Sequence, residues 1–393
     1  MPSDKPESIW TRTFALLCLA EFLGYAQHAV LQPTFPLYIT YMGGSPFIVG
    51  LVIACFGVTS VVSRPILGYW ADRWSVTGVM ILGLLAQSAS LSLCFVPFVG
   101  ATMIANGLRG IGWSGMNTGA YTILAISAPA ARRAEASGYF GAAQAAATVV
   151  FPAVALWIIE ARFGGFYGAF LAAMVLVLAG AGVAYLLSRQ IAPGTRTTHA
   201  DFTEPWWREI ISVFDRSVVL PAALLFMLHL SLACFTSFIV LYAQEIGIAN
   251  FGWYYVVIGC TSMLARPLLG RVSDKIGCGR SLIAAFTLEC FALILMLFVS
   301  NLAGTMVAGA LYFIGSAVGG ARILALAIEN APPERRARAL ASFSAAFPLS
   351  NGAGALLNGF VVDLGGFAWM YITAAMISAA GLILTARQWE SLK

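Results

Sequence analysis

Residues 63–75 read SRPILGYWADRWS, and residues 265–277 read ARPLLGRVSDKIG. At an offset of 202, Arg64/Arg266, Pro65/Pro267, Leu67/Leu269, Gly68/Gly270 and Asp72/Asp274 coincide, and Arg73 meets Lys275. Two further anchors keep nearly the same offset. APAARRA at 128–134 matches APPERRA at 331–337, and Gly164-Gly165-Phe166 matches Gly365-Gly366-Phe367. Self-similarity at one fixed spacing marks a chain built twice.

Composition says what is built twice. Of 393 residues, 60% are hydrophobic and 10% charged, against about 25% charged in an ordinary soluble domain. This excludes a soluble enzyme, a disordered chain and a small disulfide scaffold. A spanning helix needs about 20 apolar residues, or about 33 with its share of loop, so the length accommodates about twelve. Apolar runs fall at 13–37, 45–66, 77–97, 100–127, 135–159 and 165–187, and again at 218–245, 250–270, 281–300, 302–328, 338–361 and 367–386. The expected fold is an all-α polytopic membrane protein with twelve transmembrane helices. They form two six-helix halves, 1–187 and 218–393, around a central cavity, joined by a polar linker at 188–217. Within the linker, Trp206, Trp207, Ile210, Ile211 and Phe214 fall near one helical face, which fits a short interfacial helix or a plain loop.

The placement of charge gives the orientation. Nineteen of the 22 Lys and Arg residues, Arg64 among them, lie in loops on the N-terminal side, at the span ends that border those loops, or in the tails; the opposite loops hold only Arg162, and Arg109 and Arg322 fall deeper inside spans. The positive-inside rule then puts both termini in the cytoplasm. Both halves begin on the same side, so the repeats are parallel and related by an axis along the membrane normal. Transporters built this way hold substrate near the midplane between the halves. The net charge of +5 therefore serves topology and implies no nucleic-acid partner. Of seven cysteines, six sit in apolar runs and none forms a CxxC pair, so they read as packing residues. No cleavable leader is visible, and the first span is expected to act as an uncleaved anchor. GxxxxGK[ST], HExxH and GxSxG are all missing from the sequence. No catalytic residue, metal or cofactor is expected, and the chain reads as neither an ATP-driven pump nor an enzyme.

The segment Gly68-x-x-x-Asp72-Arg73 and its second copy Gly270-x-x-x-Asp274-Lys275-x-Gly277 resemble the signature loop of the major facilitator superfamily, specifically its twelve-helix bacterial drug or metabolite:proton antiporters. Ser75 stands where the first copy usually has its second glycine. The resemblance implies a monomer in a bacterial inner membrane. It also implies that Gly68, Asp72, Arg73, Gly270, Asp274 and Lys275 form a cytoplasmic latch that breaks as the protein changes state. The glycines would permit close helix approach, the aspartates would accept from a helix N-terminus, and the basic residues would bridge to a neighbouring helix end. Static loop structure is the alternative.

Charges inside a membrane span are costly and point to function. Glu21 and Arg109 each lie about nine residues from the end at which their span enters, from opposite sides, or about 13 Å deep. In a core of about 30 Å their depths differ by about 4 Å, so a Glu21–Arg109 pair is expected. In the superfamily, helices 1, 4, 7 and 10 line the cavity, and Arg109 resembles the helix 4 arginine of proton-coupled members. Glu21, Arg109 and His28 are the proton-coupling candidates, with His28 as a shuttle or a packing histidine. Arg322, Gln27, Gln32, Trp113, Gln144, His229, Asn351 and Asn358 are the substrate-binding candidates. Arg322 is suited to an anion or to snorkelling. Glu289 is expected outside the cavity, and Asp363, Glu160 and Glu245 are expected in solvent at outer ends. The function expected is proton-coupled efflux of a small organic molecule or metabolite. The alternatives are proton-coupled uptake of an anionic metabolite, or a non-transporting receptor with a transporter fold.

Overall fold

The computed structural model describes residues 9–129, 132–161, 164–191, 216–331 and 336–388. Among these the chain is helical, with no strand. The first six helices are α1 (Arg12–Tyr41), α2 (Pro46–Arg73), α3 (Val76–Leu91), α4 (Val99–Ser127), α5 (Arg133–Glu160) and α6 (Gly165–Ser188). The seventh expected span is built in three pieces, α7 (Val219–Leu230), α8 (Leu232–Thr236) and α9 (Ile239–Glu245). Then follow α10 (Gly252–Ile276), α11 (Cys278–Leu295), α12 (Leu302–Asn330) and α13 (Arg336–Arg387). Gly366, at φ 81°, breaks α13 at the boundary between the last two expected spans. Gly165, its counterpart in the repeat, has φ 59°. Among the described residues, nine helices are long and apolar enough to cross a membrane. The interfacial helix expected at 204–214 lies outside the described residues.

Side-chain caps start the helices where the backbone has no partner. The Phe14 amide donates to Thr11 Oγ1 at 3.1 Å, and the Gly304 amide to Asn301 Oδ1 at 2.8 Å. Ser75 does the same for α3, accepting from the Gly78 amide at 3.0 Å. At the matching place in the second copy, Gly277 starts α11 with φ 85°. One turn is thus solved by a hydroxyl cap in one half and by glycine's positive φ in the other.

The repeat recurs as matched contacts. His28 and Arg109 are bonded across α1 and α4, and Ser231 and Tyr312, each 203 residues later, are bonded at 3.1 Å at the start of α8 and in α12. Thr34 donates to the Val30 carbonyl, and Thr236 to the Leu232 carbonyl. Tyr38 donates to the Cys94 carbonyl, and Tyr242 to those of Met296 and Val299. The seams between the copies match as well. A Cβ on Gly50 of α2 would strike the Ala355 carbonyl of α13, and one on Gly252 of α10 would touch the Ala153 carbonyl of α5. On Gly57 it would come within 2.6 Å of the Pro348 carbonyl, and on Gly259 within 2.5 Å of Val149 Cα. At Gly50, Gly57 and Gly259 glycine lets two backbones approach where a side chain would hold them apart, and at Gly252 it leaves room for the Trp157 ring.

The breaks in the seventh span free backbone carbonyls, and tyrosines satisfy them. Tyr312 reaches the Leu228 carbonyl at 3.4 Å, Tyr254 that of Phe235 at 2.9 Å and Tyr255 that of Thr236 at 2.8 Å. Non-helical backbone at membrane depth needs such partners.

Three apolar clusters form the core. One draws on both copies: Val30 to Ile39, Val49 and Val52, and Ala155 and Leu156 of the first, with Ala233 to Ala243, Phe251 to Ile258 and Phe367 to Ala374 of the second. These residues lie toward the helix ends remote from the termini. The other two clusters stay within one copy each, around Phe14, Met80 and Met116, and around Leu224, Phe286 and Phe343. The copies therefore share one core at the far end and keep separate cores at the end that carries the termini.

Candidate functional site

Glu21, Tyr25, His28 and Gln32 recur at helical spacing on α1, as do Trp113, Asn117 and Tyr121 on α4. The two stripes meet. Tyr25 stacks against Trp113 with ring centroids 4.6 Å apart, and its hydroxyl donates to Asn117 Oδ1 at 3.4 Å. The His28 ring lies 4.5 Å from Trp113 and 5.3 Å from Phe56.

Glu21 is fully buried. Its Oε1 accepts from Gln144 Nε2 at 3.0 Å, and the same nitrogen lies 3.4 Å from the Tyr121 hydroxyl. Its Oε2 has no hydrogen-bond partner. Among the described residues no Lys, Arg or His lies within ion-pair distance of the carboxyl group.

The expected Glu21–Arg109 pair is not formed. Arg109 bonds His28 Nδ1 at 2.7 Å through one Nη, and donates to Asn106 Oδ1 through the other. Asn106 is fixed in turn by donating to the Val52 carbonyl at 2.7 Å. The guanidinium rests over the Phe56 ring at 4.6 Å and near Phe35 at 5.4 Å. A guanidinium only donates, so His28 Nδ1 accepts and the ring proton sits on Nε2. The reason for the different pairing is register. α1 and α4 run antiparallel with Gly24 against Met116 and Tyr25 against Trp113. That alignment sets Glu21 opposite residues near 119, roughly ten positions or about 15 Å along the axis from Arg109. Counting depth from each span's own end cannot detect such a slide.

The other candidates divide. Trp113 and Gln144 lie on the wall just described, and Gln32 is half-buried on the Glu21 face of α1. Gln27 is not on that face. It continues the face of Ala20 and Gly24, which packs on α6 near Gly180 and on α3 near Leu84, and it is fully buried with neither amide atom bonded. His229 donates its Nδ1 proton to the Leu225 carbonyl at 3.2 Å and meets the edge of Phe347 at 4.9 Å. Asn351 is half-buried, and Asn358 is buried with its Nδ2 unpartnered. Arg322 pairs at 3.9 Å with Glu329 of its own helix. It continues the face of Gly315 and Gly319, which packs against Ala285 of α11, whereas Gly320 faces His229.

The signature segment is helical. α2 runs to Arg73, seven residues past the expected span, straight through Pro65 and Gly68, and ends just before Ser75 caps α3. A Cβ on Gly68 would meet nothing within 4 Å, so no close helix approach occurs there in this state. Arg73 stacks on Tyr69 of its own helix at 4.6 Å rather than bridging to another helix end. Asp72 sits in the last turn of α2. Gly270, Asp274 and Lys275 lie in α10, and their side chains fall outside the described residues.

Sequence reasoning missed two cross-copy contacts. Arg64, read as a topology charge, reaches from α2 to Ser344 of α13, donating to Oγ at 3.1 Å and to the carbonyl at 3.4 Å. Asp363 is exposed, as expected at an outer end, and it also accepts from Ser45 Oγ at 2.7 Å and from the Phe47 amide at 3.2 Å, so it caps α2 from the other copy. The second had a readable signal, since a helix opening at Ser45-Pro46 attracts an anion.

A duplicated bundle of membrane-length helices, with buried titratable groups on facing walls, has the architecture of a membrane transporter. The family model described as Major Facilitator Superfamily matches residues 17–320 and 222–388, and the chain belongs to that superfamily. It is a transporter rather than an enzyme. A curated relative from Burkholderia mallei, described as an MFS-type transporter, is 27% identical over 97% of this chain and 93% of its own length. Multidrug resistance protein 1 of Bacillus subtilis is 26% identical over 42% of this chain and 43% of its own. Among solved structures, the nucleoside transporter NupG superposes with a TM-score of 0.76 at 14% identity, covering 96% of this chain and 99% of that one. A POT family transporter in complex with 5-aminolevulinic acid gives 0.77 at 14% identity, covering 96% of each.

Proposed function

We propose that this protein is a proton-coupled secondary transporter that exports a small organic molecule by alternating access. Its halves, 1–187 and 218–393, are joined by the linker 188–217 and rock about a site at their interface. Twelve crossings result when α4 and α10 are added to the nine apolar helices and α13 is counted twice, once on each side of Gly366. Both termini face the cytoplasm of a bacterial inner membrane. One chain contains the whole path, so the working unit is a monomer. The shared core at the far end and the separate cores at the terminal end fit a state open toward the cytoplasm.

One observation carries the proton coupling. Glu21 is a fully buried carboxyl group held by Gln144 alone, on the face of α1 that also carries His28. An uncompensated carboxylate in such surroundings is costly, which suits the group to take up a proton in one state and release it in another. Arg109 and His28 form the adjoining polar pair, and Gly68, Asp72, Arg73, Gly270, Asp274 and Lys275 form the latch. Export is favoured over anion uptake because Arg109 is engaged by His28 and Asn106, and Arg322 by Glu329. The multidrug resistance relative points the same way.

The test is proton flux in proteoliposomes with an acidic lumen. Metabolites and lipophilic cations are added outside, and wild type is compared with Glu21→Gln. Solute-dependent loss of the gradient in wild type alone, and a transport rate that depends on pH in wild type but not in the variant, support the proposal. Unchanged active transport by Glu21→Gln overturns it. Protons that move only together with an anion would establish uptake instead.

A further inference from the structure

We propose that the substrate is a zwitterion, with Arg64 receiving its anionic group and Glu21 its ammonium. This rests on the export reading above and adds the substrate's charge pattern to it.

The inference starts from two opposite charges that are left unpaired around Tyr121. On one side stands Glu21, whose carboxyl group has no cationic partner among the described residues. On the other stands Arg64, partly exposed, whose guanidinium is bonded only to the hydroxyl and carbonyl of Ser344. It has no acidic partner within ion-pair distance among the described residues. Ser114 of α4 donates to the Ser60 carbonyl of α2 and Asn106 to that of Val52, an alignment that sets Arg64 level with residues near 118, within a turn of Tyr121, while Gln144 joins Tyr121 to Glu21. Tyr121 is 50% exposed, and Ser344 is exposed on α13 across the seam.

Each charge is satisfied at present by a neutral group that a ligand can replace. Gln144 supplies Glu21 with one N–H donor, and an ammonium supplies the same donor with a charge. Ser344 supplies Arg64 with neutral acceptors, and a carboxylate or phosphate offers two charged oxygens to the guanidinium fork. A purely cationic ligand would leave Arg64 facing it unanswered, and a purely anionic one would leave Glu21 so. The repeat makes the site specific to one half. The positions equivalent to Glu21 and Ser344 are Ala223 and Ala142, so the second copy offers neither the carboxyl group nor the hydroxyl.

The test measures thermal stabilisation and binding by the detergent-purified full chain. The probes are a metabolite panel with equal numbers of zwitterions, cations, anions and neutral compounds. Each zwitterion is paired with its methyl ester and its N-acetyl derivative. Wild type is expected to prefer zwitterions by about tenfold or more over both derivatives, the effect of one charge-assisted hydrogen bond. Arg64→Gln should erase the preference over the ester only, and Glu21→Gln the preference over the N-acetyl compound only. Arg64→Lys should keep the first preference in weaker form and show that the site still folds. Ser344→Ala removes the hydroxyl half of the seam contact and leaves the bond to the carbonyl, so a merely structural Arg64 predicts a partial loss of zwitterion preference in step with lost stability, whereas the proposal predicts that the preference is retained. A panel in which no zwitterion binds, or in which ester and zwitterion bind wild type equally, overturns the proposal. If that happens while Glu21→Gln still abolishes solute-dependent proton flux, the export reading stands and only the zwitterion assignment falls.

Discussion

Glu289 of α11 occupies in the second copy the place that Gln87 of α3 occupies in the first. Both are fully buried, 202 residues apart in sequence. A Cβ on Gly112 would approach Gln87 Cγ at 2.7 Å, and one on Gly315 would approach Glu289 Cγ at 3.3 Å. Each keeps one oxygen without a hydrogen-bond partner, Gln87 Oε1 and Glu289 Oε1. The other Glu289 oxygen accepts from Ser378 at 3.4 Å. The fold thus takes an amide and a carboxyl group in equivalent niches, both outside the wall that holds Glu21.

Glu289→Gln is therefore expected to fold and transport normally, with unfolding stability in detergent no lower than that of wild type. Proton flux that fell as far as in Glu21→Gln would make Glu289 a second coupling group and end the equivalence argument.

Arg109 and His28 form a charge-assisted bond at 2.7 Å inside the bundle, and removing one partner leaves the other buried. His28→Ala and Arg109→Ala should each destabilise the protein, and the double variant should lose less than their sum. A double-mutant cycle by thermal or denaturant unfolding is expected to give a coupling of about 1.5–3 kcal/mol, the range for hydrogen bonds to charged groups. Additive losses would mean that the bond contributes nothing in the folded ensemble.

Gly57 and Gly259 set how closely the two copies approach at their seams. Gly57→Val puts a branched side chain where a Cβ alone would already come within 2.6 Å of the Pro348 carbonyl. The expected result is loss of transport and opening of the end remote from the termini. Cys234, buried in the core that both copies share, reports this in a variant that keeps it as the sole cysteine. Outside labelling by a membrane-impermeant thiol reagent should rise several-fold in Gly57→Val. Equal labelling with normal transport would show that the seam tolerates the side chain.

Asp72→Asn is expected to slow exchange between states while leaving substrate affinity nearly unchanged, because Asp72 lies in the last turn of α2, away from the Glu21 wall. Stopped-flow fluorescence for the exchange and equilibrium binding for the affinity separate the two. A large affinity loss at a normal exchange rate would remove Asp72 from the latch.

Much of the site could be read along single helices. The 3.6-residue period placed Glu21, His28 and Gln32 on one face of α1 without reference to any neighbour. The same count, carried to Gln27, puts it about 120° round the helix from Glu21, on the side of Ala20, but a polar residue in a span drew attention by type rather than by angle. Arg322 kept two readings, anion ligand or snorkelling charge, because depth alone could not choose between them; its angle, shared with Gly315 and Gly319, turns it toward α11. The partners of Arg64 and Asp363 went unread because Ser344 and Ser45 lie 280 and 318 residues away and belong to the other copy.

By itself the sequence determined that the chain is a duplicated helical membrane bundle and roughly where its spans run. Apolar length, charge bias and an offset of 202 are properties of one chain read in order. Only the tertiary structure decided that Arg109 meets His28 instead of Glu21, that Glu21 answers to Gln144, and that Arg64 crosses to Ser344. The physical reason is that helical periodicity fixes the angle of a side chain about its own axis. It leaves free how far one helix slides along the next, and a shift of two turns, about 11 Å, changes every partner.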